Sequence, residues 1–196
     1  MSQEAPTPSA RHRELLEAAY RYALAHGLSD LSLRPLAEAI GSSPRVLLFL
    51  FESKDGLLRA LLARARADEL ALLDHARRPD RPDGLVPAVE RVWTWLAAQE
   101  HRPLLRLWAE AYTRSLAQPD GAWGGFARAT VEDWLGVLAD FQPPAERDSE
   151  PGAARRTLAL AVLRGALLDL LATDDEDRIT AAVECQLALL RDSTAA

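Results

Sequence analysis

Apolar residues recur every three or four positions through nearly the whole chain, and no convincing stretch alternates β-branched with polar residues. That spacing draws an apolar stripe along a helix and cannot line one face of a strand, so the expected fold class is all-α, with about nine helices. With 196 residues, 48% of them hydrophobic, the chain can bury a substantial core as one domain or as a small one joined to a larger. The single cysteine, Cys185, excludes an internal disulfide, and no C-x-x-C or Cys/His cluster is present to hold a metal. No metal and no cofactor are expected, and the compartment implied is the reducing cytoplasm. The longest charge-free apolar run near the N-terminus, residues 46–51, has six residues, against about 20 needed to cross a bilayer. Residues 1–10 are polar and lack an apolar signal-peptide core, so no membrane association is expected.

Glycine, proline and serine punctuate the helices. Residues 1–9, with two prolines and few apolar side chains, are expected to be a disordered tail. A first helix is expected over 10–26, burying Leu15, Ala18, Ala19, Tyr22 and Ala23, with Gly27 stopping it. Ser32 stands where an N-cap is needed for a short second helix carrying Leu33, Leu36, Ala37 and Ile40, and Gly41 ends that helix. Ser43 can cap a third helix with Pro44 in its first turn, where a missing N–H costs nothing. That helix ends near Phe51. Ser53-Lys54-Asp55-Gly56 opens a long fourth helix to about residue 77, with Leu57, Leu58, Leu61, Leu62, Ala65 and Leu70 along it, and residues 78–84, with Pro79 and Pro82, break it. Further helices are expected over 85–99, 103–118, 123–141, 153–173 and 176–191, with 142–152 as a loop.

Two short helices joined by a tight glycine turn, after a first helix, make a helix-turn-helix, whose second member can enter the DNA major groove. A net charge of −6 argues against a polyanionic partner until its distribution is considered. Residues 1–60 carry seven basic and seven acidic side chains, so the acidity lies entirely in 61–196. Of the 23 basic residues 22 are arginine, and the exception, Lys54, opens the fourth helix.

Residues 31–58, from Leu31-Ser32-Leu33-Arg34 through Ala37, Ile40-Gly41-Ser42-Ser43-Pro44-Arg45 and Phe51-Glu52-Ser53-Lys54 to Leu57-Leu58, resemble the DNA-binding signature of the TetR family of transcriptional regulators. The resemblance is strong over about 11–60, and length and helical character extend it to the rest. It implies a DNA-binding domain over 10–56 and a larger domain for ligand binding and dimerisation over 57–196, which together would form a repressor released from its operator by a small apolar or aromatic ligand. It makes 43–50 the recognition helix. Pro44, Arg45 and Phe49 then face the bases, Arg34 stands where the family often contacts phosphate or a neighbouring base, Lys54 reaches phosphate, and Ser32, Ser43 and Leu48 complete the expected DNA-binding set. An arginine there can bind guanine through two hydrogen bonds, and Phe49 can pack on a thymine methyl. The family usually has Tyr and His where this chain has Leu48 and Leu50. Val46, Leu47 and Phe51 are expected in the core, whereas Leu48, Phe49 and Leu50 fit core and DNA-facing surface equally well. Solvated surface charge is the alternative for Arg45 and Lys54.

All five tryptophans fall between Trp93 and Trp134. Trp93, Leu96, Leu104, Trp108, Tyr112, Trp123, Phe126 and Trp134 could line a pocket for an apolar or aromatic ligand, with His101, Arg106 and Glu110 as polar anchors; ordinary core packing explains the same cluster. Leu158, Val162, Gly165 and Leu168, with Ile179, Val183, Leu187 and Leu190, form stripes on the last two helices, beside the small residues Ala161 and Ala166. By the resemblance these pair two subunits, since a homodimer is needed to read a palindromic double-stranded operator. Alternatively the stripes cover only their own core. No catalytic residues are assigned: there is no H-E-x-x-H, no G-x-S-x-G and no phosphate-cradling loop, and the acidic run 174–177 is better placed to favour the positive end of the last helix than to bind a metal. The alternatives are a helical protein-interaction module with a weakened DNA-binding motif and, less well supported, a helical-bundle enzyme.

Overall fold

The computed structural model describes residues 10–76 and 84–195, and every regular element among them is helical. In order these are α1 (Ala10–His26), α2 (Leu33–Ala39), α3 (Pro44–Phe51), α4 (Lys54–Ala76), α5 (Leu85–Ala97), α6 (Arg102–Ala117), α7 (Phe126–Asp140), α8 (Pro144–Arg147), α9 (Glu150–Thr173) and α10 (Glu176–Ala195). Single turns of tighter 3-10 helix stand at Gln99–His101 and Gly121–Trp123. The expected tail and the proline break after α4 lie outside the described residues.

The chain divides into two compact units. One comprises the described part of Met1–Ala67 with Arg106–Ala127, and the other the described part of Asp68–Leu105 with Arg128–Ala196. The helix-turn-helix therefore shares its unit with most of α6.

In the first unit, Leu15, Ala19, Tyr20 and Ala23 of α1 are buried with Leu36 and Ala37 of α2, Leu47 and Phe51 of α3, and Leu57, Leu58, Leu61, Leu62 and Ala65 of α4. Tyr20, not Tyr22, faces the core. The Arg64 guanidinium lies 4.8 Å above the Tyr20 ring and its Nε donates to Glu17 at 2.6 Å, while Tyr22 stays near the surface, stacked on His26. Leu107, Trp108 and Ala111 of α6 and Trp123, Phe126 and Ala127 are also buried in this unit.

The second unit is built on α5, α9 and α10, which pack on one another. Ala88, Val89, Val92, Trp93 and Leu96 meet a core made with Leu160, Leu163, Leu167 and Leu170, and with Ile179, Val183, Leu187 and Leu190. Glu69 is buried where the stripe on α4 suggested Leu70, which is exposed; the carboxylate accepts the indole N–H of Trp134. The buried Arg102 donates to Asp174 Oδ1 at 2.9 Å and to the Leu170 carbonyl at 3.4 Å, placing a cation at the negative end of α9. Asp175 caps α10, receiving the Arg178 backbone N–H at 3.3 Å, so the acidic run does favour the positive end of the last helix.

Residues 142–152 were expected as a loop, yet they hold α8 and the first turn of α9. Proline suits a helix start, and Pro144 and Pro151 both occupy first turns. Gln142 is buried and ties the segment together, donating to Glu146 Oε1 and the Gly152 carbonyl and accepting from Arg156 at 2.6 Å.

Candidate nucleic-acid interface

The turn between α2 and α3 is fixed by backbone chemistry. Gly41 takes φ +65°, the left-handed conformation that glycine adopts without steric cost. Its N–H donates to the Glu38 carbonyl at 3.2 Å, and the Ser42 N–H donates to the Ala37 carbonyl at 2.8 Å. This pair of bonds satisfies carbonyls that the end of α2 would leave bare. Two residues later Ser43 Oγ accepts the Val46 N–H at 3.3 Å, and Pro44 supplies the first turn of α3. Ser32 stands at the N-cap of α2, but its side chain makes no capping bond; its carbonyl accepts the Leu36 N–H at 3.1 Å.

The far end of α3 is held as tightly. Glu52 takes φ 65° and turns the chain. Ser53 Oγ then accepts the Gly56 N–H at 2.9 Å. A Cβ built on Gly56 would lie 2.0 Å from the Phe51 carbonyl oxygen, so the junction of α3 with α4 closes only around glycine. The His12 ring of α1 packs on Phe51 with centroids 4.5 Å apart.

These constraints decide which face of α3 is free. At about 100° per residue, Leu47 and Phe51 fall together on the buried side. Opposite them Arg45, Val46, Leu48 and Phe49 span an arc of about 160°. Arg45 is exposed, Phe49 is 83% exposed, Leu48 41% and Val46 37%. Val46 thus belongs to the outward face and not to the core, because the buried arc holds only the side chains spaced four apart. Leu50 and Pro44 lie at the edges, half-buried. Arg34 on α2 and Lys54 at the start of α4 are both exposed, as is Ser32, and Ser43 is half-buried. All eight expected DNA-facing residues thus keep some accessible surface.

Residues 15–61 match the model for bacterial regulatory proteins of the tetR family. Similar solved structures extend the likeness along the chain. A transcriptional regulator from Rhodococcus sp. Rha1 superposes with a TM-score of 0.74 at 19% identity, covering 93% of this chain and 96% of that one. The tetR-family match covers residues 15–61, and the likeness over the rest of the chain is one of fold. A TetR transcription regulator from Haloarcula marismortui ATCC 43049 gives a TM-score of 0.72 at 18% identity, over 90% of this chain and 94% of its own. The multidrug binding protein EbrR, complexed with imidazole, gives 0.65 at 24% identity, over 91% and 90%. No curated protein matches the sequence significantly. The matched segment contains the helix-turn-helix formed by α2 and α3.

The aromatic set divides between the two units. Trp108, Tyr112, Trp123 and Phe126 lie in the unit of the helix-turn-helix, and Trp93, Leu96, Leu104 and Trp134 in the other. All are buried except Leu104 and Tyr112, which are half-buried. Trp93 Nε1 donates to Thr180 Oγ1 at 3.0 Å, as a core residue does. Trp108 packs on Tyr112 with centroids 5.0 Å apart, and its indole N–H is buried without an acceptor. Of the expected anchors Arg106 is exposed, and His101 stacks on Trp95 and bonds its carbonyl. Glu110 does something the spacing could not indicate. Its Oε2 accepts the Leu28 N–H at 2.9 Å, joining α6 to the loop between α1 and α2, while its Oε1 is buried without a donor.

Of the expected pairing residues, Leu158, Gly165 and Leu168 are exposed and Val162 is half-buried. Ile179, Val183, Leu187 and Leu190 are at most 5% exposed, inside their own unit's core. They leave no surface for a second copy. The outward apolar residues of α10 are Ala181, Ala182, Cys185, Ala188 and Leu189.

Among the described residues no group of His, Cys, Asp and Glu could hold a metal ion, and no helix is long and apolar enough to cross a membrane.

Proposed function

We propose that this protein is a regulator of the TetR family, a cytoplasmic repressor that binds a palindromic duplex as a homodimer and leaves it when a small apolar or aromatic ligand binds. The outward face of α3 carries the reading: Arg45 and the apolar side chains beside it are held away from the core by a rigid turn at each end. That arrangement suits insertion into a major groove, with Arg45 reading guanine and Lys54 and Arg34 on phosphates. The family match favours this over a protein-interaction module.

Dimerisation is supported by a stripe on α9. Leu158, Ala161, Gly165, Leu168 and Ala172 recur at three- and four-residue spacing and are all exposed, as are Ala182, Cys185 and Leu189 on α10. Gly165 has open space around it, so a partner helix can approach closely. Ligand control is supported by the buried, unpaired indole N–H of Trp108 and, two residues further along α6, by Glu110, whose carboxylate accepts from the loop before α2. EbrR, of similar fold, is a multidrug binding protein.

Selection from a random duplex pool tests the proposal. It should enrich a two-fold symmetric site with half-sites roughly 34–36 Å apart, or a multiple of that spacing. Enrichment of no sequence, or of a single unpaired half-site, would overturn it.

A further inference from the structure

A valine and a leucine beside a phenylalanine on the open side of one eight-residue helix make an unfavourable surface unless something covers it. The charges nearby indicate the chemistry of the cover. Arg45 is the second residue of α3 and Lys54 the first of α4. Both cations sit at the positive end of a helix, where local electrostatics disfavours them. No acidic residue lies in the first turn of α3, and only Asp55 in that of α4. An anionic partner reverses that penalty. A partner that is anionic along its backbone and also presents apolar groups is duplex DNA, whose major groove offers one apolar group, the C5 methyl of thymine.

We propose that Phe49, flanked by Leu48 and Val46, reads thymine methyls, so that operator choice in this protein rests on apolar contact as much as on hydrogen bonding. The inference rests on the DNA-binding reading above and specifies what its reading face recognises. Among the four outward residues of α3 only Arg45 can donate a hydrogen bond from its side chain. Arg45 and Phe49 are four residues apart, so they project from one side, separated by about 6 Å along the axis. With successive base pairs about 3.4 Å apart, a guanine and a thymine about two base pairs apart are the expected pair in each half-site.

The test uses the full-length protein and a duplex enriched from a random pool. Each thymine of the site is replaced in turn by deoxyuridine, which removes only the methyl, and affinity is read by fluorescence anisotropy. Burying one methyl corresponds to about fourfold in affinity, so substitution at the contacted thymine of both half-sites should weaken binding about fifteenfold. F49A should bind the thymine duplex more weakly and should no longer distinguish it from the uracil duplex, whereas R45A should keep that distinction. Phe49 is so exposed that its removal leaves the core untouched, which circular dichroism verifies. If a duplex is enriched and no deoxyuridine substitution alters affinity, the methyl reading is overturned and DNA binding stands. If no duplex is enriched, both fall. If F49A alters self-association and not DNA affinity, the face is a protein interface and the inference is overturned.

Discussion

Replacing Gly56 by alanine should loosen the recognition helix from its support. The helical propensity of alanine would by itself stabilise α4, by up to about 1 kcal/mol relative to glycine. Against this, the new methyl would stand 2.0 Å from the Phe51 carbonyl oxygen, and backbone, unlike a flexible side chain, must shift to relieve the contact. Such overpacking costs about 1–3 kcal/mol. The shift would also open the bond from the Gly56 N–H to Ser53 Oγ, a capping interaction worth about 1 kcal/mol. The net expectation is destabilisation by about 1–3 kcal/mol, or roughly 2–12 °C in Tm for a chain of this size. Gly136 in α7 is the internal control, since a Cβ there meets nothing within 4 Å and its φ is not positive. G136A should leave stability unchanged or raise it by up to about 1 kcal/mol. Urea and thermal unfolding followed by circular dichroism at 222 nm measure both. If G56A is as stable as G136A and binds DNA like the parent, the α3–α4 junction is not built as described.

Glu110→Ala should cost about 1–3 kcal/mol by leaving the Leu28 N–H without its acceptor, whereas Glu110→Gln, which keeps an acceptor oxygen, should recover most of that loss in the same unfolding assay. The double substitution of Leu168 and Leu189 by glutamate should yield folded monomers in sedimentation velocity, because both side chains are about half exposed, at 42% and 60%, and absent from the core. A parent protein that sediments as a monomer at micromolar concentration would remove the dimer from the account.

Where one residue's backbone chemistry decides an element boundary, the sequence was sufficient. Gly27, Gly41, Ser43-Pro44 and Ser53 fall at the helix ends where they were expected, since a positive φ, a side-chain cap or a missing N–H acts within a few residues. Which face of a helix turns inward was less legible, because the decision is made by a distant partner. Tyr20 replaces Tyr22 in the core on account of Arg64, and Glu69 replaces Leu70 on account of Trp134. Val46 turned outward because Leu47 and Phe51 alone fill the buried arc, a distinction that a uniformly apolar helix hides. The same ambiguity governs α10, whose stripe of Ile179, Val183, Leu187 and Leu190 closes on its own unit. Prolines 143, 144 and 151 read as breakers where they are starters. The contact of Glu110 with Leu28 spans 82 positions and has no local signature.

The central claim is that α3 reads bases while the flanking cations hold the backbone, and the most direct measurement compares R45A and K54A on the enriched duplex and on a scrambled one at several salt concentrations. R45A should lose about 1–3 kcal/mol on the enriched site, roughly five- to 150-fold, and little on the scrambled duplex. K54A should weaken both alike and should lower the slope of log affinity against log salt by about 2 for a dimer, since each lost phosphate contact contributes about 0.9. Both variants binding both duplexes like the parent at matched salt would contradict the assignment of this helix-turn-helix as the DNA-reading element.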